Sequence, residues 1–215
     1  MGGFDPTSGL QTGYSTIDGN SSTKIFFASG LDSTTIFNRL VLQNGLSSYG
    51  AGIYNYNSSP TFLDVVFDNN NAIHGGGMYN DSLSSPTLSD VVFINNYANA
   101  GGGLYNYLGS SPKLINTSFE SNSADFGGGI YNDSLSSPTL INVYLQNNSA
   151  SYYGGGMYNV FYSDPYLSNV IIKNNISDYG AGMANDQHSS PVLSNVDFIE
   201  NNASDKGGGL FNSHY

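Results

Sequence analysis

Gly75-Gly76-Gly77-Met78-Tyr79-Asn80, then Ser85-Pro86-Thr87-Leu88, then Phe93-Ile94-Asn95-Asn96, then Gly101-Gly102-Gly103-Leu104-Tyr105-Asn106: the chain returns to the same hexapeptide pattern after 26 residues. The pattern also begins at Gly50, Gly127, Gly154, Gly180 and Gly207, with successive steps of 25, 26, 26, 27, 26 and 27 residues. Pro60, Pro86, Pro112, Pro138, Pro165 and Pro191 mark the same coils. Self-similarity at a period of this length is the signature of a solenoid, in which each repeat buries its apolar face only against its neighbours.

The intervals inside the repeat are informative. Seven residues after each proline stands an apolar residue (Phe67, Phe93, Phe119, Leu145, Ile172, Phe198), and three further on always an asparagine (Asn70, Asn96, Asn122, Asn148, Asn175, Asn201). The 27-residue steps arise only between that asparagine and the next glycine, so insertions are confined to one corner and the rest is held in register. Alternation within strands predicts three short strands per coil: in the second full coil residues 86–88, 91–93 and 76–79, with Leu88, Val91, Phe93 and Met78 inward. Helical periodicity is absent. The expected fold is all-β, a right-handed single-stranded parallel β-helix of about 26 residues per coil. Two asparagine columns, Asn70 to Asn201 and Asn55 to Asn212, suit corners where an amide can bond its own copy one coil away. A third column mixes acid and amide: Asp64, Asp90, Asn116, Asn142, Asn169 and Asn195. Residues 1–45 are less regular, with a partial coil from Thr35 to Asn44, and read as an N-terminal cap. Residues 46–215 are regular coils that stop three residues after a glycine motif, as a truncated array would.

Composition narrows the function. Only 10% of the residues are charged and the net charge is −11, with Lys24, Arg39, Lys113, Lys173 and Lys206 as the cations. That excludes the basic footprint of a nucleic-acid partner and disfavours anionic membrane surfaces. The absence of cysteine excludes disulfides and thiolate chemistry. No run of about 18 apolar residues is present for a membrane-spanning helix, and Met1-Gly2-Gly3-Phe4-Asp5 lacks the basic and apolar parts of a signal peptide. The chain therefore reads either as a protein that stays inside the cell or as a segment of a longer exported one.

Short Gly-Gly-[Ala/Gly]-[Ile/Leu/Met] motifs alternating with Phe-x-x-Asn resemble the repeats of polymorphic outer membrane proteins, which are autotransporter adhesins. The second motif is carried by Phe67–Asn70, Phe93–Asn96, Phe119–Asn122 and Phe198–Asn201, while Leu145 and Ile172 depart from it. Residues 16–20 and 40–45 are similar to the opening coils of bacterial right-handed β-helix proteins of the pectin-lyase-like superfamily. The resemblance implies an extracellular or cell-surface location, as part of a longer exported protein, and adhesion to a glycan or a host or cell-surface protein. The pectin-lyase-like resemblance also admits a polysaccharide lyase or glycoside hydrolase.

Several side-chain sets bear on chemistry. The glycine motif recurs seven times without a following helix or lysine, which is not the context of a phosphate loop. Asp178 and Asp205, in adjacent coils, are the best carboxylate pair for hydrolysis, although their column otherwise looks like a solvent-facing corner. Asp81, Asp133 and Asp186 share a column two coils apart, about 9.6 Å, too far for one metal, and His74, His188 and His214 occupy unrelated places. No metal or cofactor is expected. A threonine column suited to ice binding is broken by Lys113, Tyr166 and Val192. The leading candidate is an outward aromatic ladder, Tyr54, Tyr79, Tyr105, Tyr131, Tyr158 and Phe211, floored by Gly52, Gly77, Gly103, Gly129, Gly156, Gly182 and Gly209, onto which the apolar faces of sugars would stack. Three functions are thus compatible with the sequence: a non-enzymatic glycan-binding module, an enzyme, and a purely structural spacer whose tyrosines only hold coils together.

Overall fold

The computed structural model describes residues 13–213, and every regular element among them is a β-strand. Ten strands form the proline sheet, including Ser15–Asp18, Ile36–Gln43, Thr61–Asp68, Thr139–Gln146, Tyr166–Lys173 and Val192–Ile199. Eight form the glycine sheet, from Phe26–Ser29 and Ile53–Tyr56 through Leu104–Asn106 to Leu210–Asn212. Every pairing is parallel, and like residues pair with like: Leu104 lies between Met78 and Ile130, and Asn106 between Asn80 and Asn132. The molecule is a parallel β-solenoid of stacked, near-identical coils. Residues 1–12, part of the expected cap, and His214 lie outside the described residues.

The third sheet differs from the sequence expectation. The segments 86–88 and 91–93 are not separate walls; their counterparts are halves of one proline strand, bent in the middle. The bend falls on the acid and amide column, where Asp64, Asp90, Asn116, Asn142, Asn169 and Asn195 take φ between 50° and 57°. Asparagine and aspartate tolerate this left-handed conformation better than other non-glycine residues. The third wall is instead the corner between the buried asparagine and the glycine motif. Here Leu46–Tyr49 pairs with Asn71–His74, bridges at Tyr97 and Ala100 continue the column, and Ser123–Phe126, Ser149–Tyr153, Ile176–Tyr179 and Asn202–Lys206 complete it. The longer steps are absorbed there as bulges, as between Ala124/Phe126 and Ala150/Tyr153.

Inside the coil, Phe67, Phe93 and Phe119 stack nearly parallel with ring centroids 4.7 and 4.6 Å apart. The glycine motif makes room for them. A Cβ on Gly77 would stand 2.7 Å from both Phe93 Cδ1 and the Gly103 carbonyl oxygen. Gly77 and its equivalents from Gly52 to Gly182 are therefore buried against the inward apolar and asparagine columns, and Gly209 is half-buried, rather than forming an outer floor, contrary to the expectation. Gly75 acts differently. At φ 64° it turns the chain from the third sheet into the glycine sheet.

The Asn70 column is fully buried through Asn175, and from Asn96 to Asn175 its amides are completely used. Asn122 Nδ2 donates to the Phe93 carbonyl (2.9 Å) and to Asn148 Oδ1 (3.0 Å), while its Oδ1 accepts from the backbone and side-chain nitrogens of Asn96 (3.0 and 2.9 Å). Asn122→Leu strands these partners inside the protein, at about 1–3 kcal/mol for each group left unpaired. The expected result is a clearly lower denaturant midpoint, whereas Asn116→Gly, at an exposed bend that already requires φ 50°, leaves the midpoint nearly unchanged.

A second left-handed column caps the loops before each proline. Asn57 and Gly109 suit it, but Leu83 and Leu135 also occupy it, at φ 64° and 66°, while 72% and 66% exposed. A bulky residue there costs of the order of 1–2 kcal/mol. Leu135→Asn is expected to raise the denaturant midpoint, because it relieves the backbone and gives up little burial.

Candidate functional site

The left-handed glycine folds the chain so that the residue before it and the tyrosine four after it come together outside the phenylalanine core. Two ring columns result. The expected ladder runs through Tyr54, Tyr79, Tyr105, Tyr131 and Tyr158 with centroid steps of 5.2, 5.1, 4.7 and 5.2 Å. A second column comes from the third sheet: Tyr49, His74, Ala100, Phe126, Tyr153 and Tyr179. It covers the first, with Tyr49 5.3 Å from Tyr79, His74 5.3 Å from Tyr105, Tyr153 5.4 Å from Tyr158 and Tyr179 5.4 Å from Phe211.

This cover corrects the open strip expected from alternation alone. Tyr79, Tyr105 and Tyr158 are only 5%, 7% and 6% exposed, and Tyr54, Tyr131 and Phe211 are half-buried. The rings point away from the main core, as alternation requires, but into an outer aromatic layer. The signal was present in the sequence: five of the seven glycine motifs follow a ring-bearing residue, Tyr49, His74, Phe126, Tyr153 or Tyr179.

The column of Asp81, Asp133 and Asp186 gains a role here. Tyr54 donates to Asp81 Oδ2 (2.9 Å), Tyr105 to Asp133 Oδ2 (2.7 Å) and Tyr158 to Asp186 Oδ2 (3.4 Å). Each carboxylate thus binds the tyrosine of the preceding coil, and the two-coil spacing of the aspartates becomes a two-coil super-repeat. Burial pushes the Tyr105 hydroxyl well above the usual phenol range, and the charge of Asp133 adds to this. Burial does the same at Tyr131.

The hydrolysis pair sits elsewhere. Asp178 accepts a hydrogen bond from the Ser204 hydroxyl, and Asp205 accepts one from the Tyr179 hydroxyl, both on the third sheet. Among the described residues no group of three His, Cys, Asp or Glu side chains is placed to hold a metal.

The aromatic layer is open at its first coils. Phe27, 61% exposed, meets Tyr54 edge-on at 5.3 Å, and Tyr49 and Tyr56 beside it are exposed. Lys24 Nζ stands 4.5 Å from the centroid of the Tyr54 ring, a cation–π contact. Ring surface is exposed at this end and buried in the covered middle.

Two repeats match a known family model, that of the Chlamydia polymorphic membrane protein repeat, over residues 90–107 and 116–133. Each segment runs from the left-handed bend of the proline strand, through the Phe-x-x-Asn corner, to the asparagine of the glycine strand, so the matched residues are those that stack the coils. Neither a curated protein nor a solved structure matches the chain.

The buried phenols predict an alkaline instability. Below about pH 10 tyrosine is protonated in both folded and unfolded chains, and these rings confer no pH dependence. Above it the unfolded chain loses protons that the folded one keeps, so stability falls by up to about 1.4 kcal/mol per pH unit for each such tyrosine. Denaturant midpoints are expected to hold up to about pH 10 and to fall as the pH is raised above it, and Tyr131→Phe to make that fall shallower.

Proposed function

We infer that the chain is a stretch of the surface-exposed repeat region of an adhesin-like outer-membrane protein, carried outside the cell as part of a longer exported chain. Its role in this reading is contact, not catalysis, and the contact is with glycan. The match of two coils to the polymorphic membrane protein repeat is the observation that carries the reading. The sparsely charged surface, rich in Ser, Asn and Tyr, is in keeping with it. The open aromatic end at Phe27, Tyr49 and Tyr56 supplies ring faces of the kind that stack on sugars. The enzyme reading loses support because Asp178 and Asp205 are engaged by hydroxyl groups on an open wall.

The reading is tested with the purified chain on a glycan array and on coated beads presented to cells. Retention on glycan and bead attachment are expected, with both reduced by Phe27→Ser combined with Tyr56→Ser at unchanged melting temperature. Release of reducing or unsaturated sugar ends overturns it in favour of an enzyme. Attachment that survives removal of cell-surface glycan assigns the contact to a protein instead.

A further inference from the structure

The exposed asparagine column differs from the buried one in a way that the stacking of coils does not require. Asn195 Nδ2 donates to Asn169 Oδ1 at 2.8 Å, Asn169 to Asn142 at 3.3 Å and Asn142 to Asn116 at 3.1 Å. An amide has two N–H donors and two acceptor lone pairs. In the buried Asn122 all four are used within the protein. In the exposed ladder each of Asn142 and Asn169 spends one donor and one acceptor on its neighbours, which leaves one of each per coil on the outer surface.

Those spare groups border a cavity. A groove of about 270 Å³ runs along the outside of the proline sheet, lined by Asn142, Asn169 and Asn195 and by Tyr144, Ile171 and Asp197, which are in-register neighbours of successive strands. Tyr144 is exposed, and Asp197 places a carboxylate at one end. Among the described residues no lysine or arginine lines the groove. In the equivalent places the first coils have Asp64 and Asp90 in the ladder and Val66 and Val92 in the row of Tyr144, so this combination of amides and an aromatic face belongs to the later coils.

We propose that this groove binds a short, linear, uncharged oligosaccharide lying along the solenoid axis. The inference rests on the glycan-contacting reading above and names the sugar class and the place. A spare N–H and a spare lone pair on one planar amide match neighbouring hydroxyls of a sugar, one accepting and one donating. The ladder repeats this pair at the strand spacing of about 4.8 Å, close to the advance of one sugar unit in an extended chain. The Tyr144 ring and Ile171 supply the apolar face against which C–H groups pack. Asp197, the absence of a lining cation and the net charge of −11 act against uronic or sulfated sugars.

The test is titration calorimetry of the chain with linear hexamers of β-linked glucose and of N-acetylglucosamine, and with oligogalacturonate as the acidic counterpart. At least one neutral hexamer is expected to bind and oligogalacturonate not to. Asn169→Gly keeps the left-handed bend and removes the amide; Tyr144→Ser removes the exposed ring. Each is expected to weaken binding by at least about tenfold at unchanged melting temperature. Asp197→Lys is expected to admit the acidic chain. Equal binding of the neutral hexamer by Asn169→Gly, Tyr144→Ser and the native chain overturns the groove but leaves the glycan reading standing. Binding only of oligogalacturonate, or of neither class by a chain that still attaches to cells, overturns the proposal outright.

Discussion

The Asn70 column is the interaction on which the other features depend. Its amides link the backbone and side chains of adjacent coils at the turn where the proline strand ends, with donors and acceptors both satisfied in the middle of the stack. An unpaired amide in that position would cost more than a typical hydrogen bond contributes, so the column enforces one register. A slip of a single residue would leave backbone carbonyls without donors and turn the phenylalanines outward. With the register set, Phe67, Phe93 and Phe119 stack face to face, and the glycine opposite them has no room for a side chain.

The outer aromatic layer follows from the same register. In four of the seven glycine-motif coils a left-handed glycine brings one ring from the third sheet beside one from the glycine sheet, and coil-to-coil pairing turns each into a column. A solenoid this thin has little interior, and the layer adds apolar burial on a face that would otherwise be wet. The aspartates at alternate coils accept the phenol hydroxyls that burial would leave costly. Side chains that the stack uses and those that it leaves unused therefore divide along the molecule: covered rings serve the stack, while the open first coils and the amide-lined groove have side-chain capacity to spare.

Backbone strain is distributed by the same logic. The bend of the proline strand and the turn before the buried asparagine use mostly Asn and Asp at positive φ, where the cost is small. The loop column with Leu83 and Leu135 does not, and nothing that packs on those side chains in the structure accounts for it.

Much of this was legible in the amino-acid order alone. The invariant spacing from Pro86 to Phe93 to Asn96 determined a parallel stack, its coil length, its inward columns and the buried amides, because a repeat with one apolar face per coil can be satisfied only by copies of itself. The sequence also determined that Tyr54 to Tyr158 point away from the main core. Tertiary structure alone decided whether they meet solvent. Alternation states which side of a strand a residue leaves from, not what the next wall places over it, and the turn at Gly75 and its equivalents brings Tyr49, His74 and Tyr153 across the ladder. The three-dimensional fold likewise distinguished the amide column with four bonds per side chain from the one with spare donors, since two runs of asparagine read alike until burial separates them.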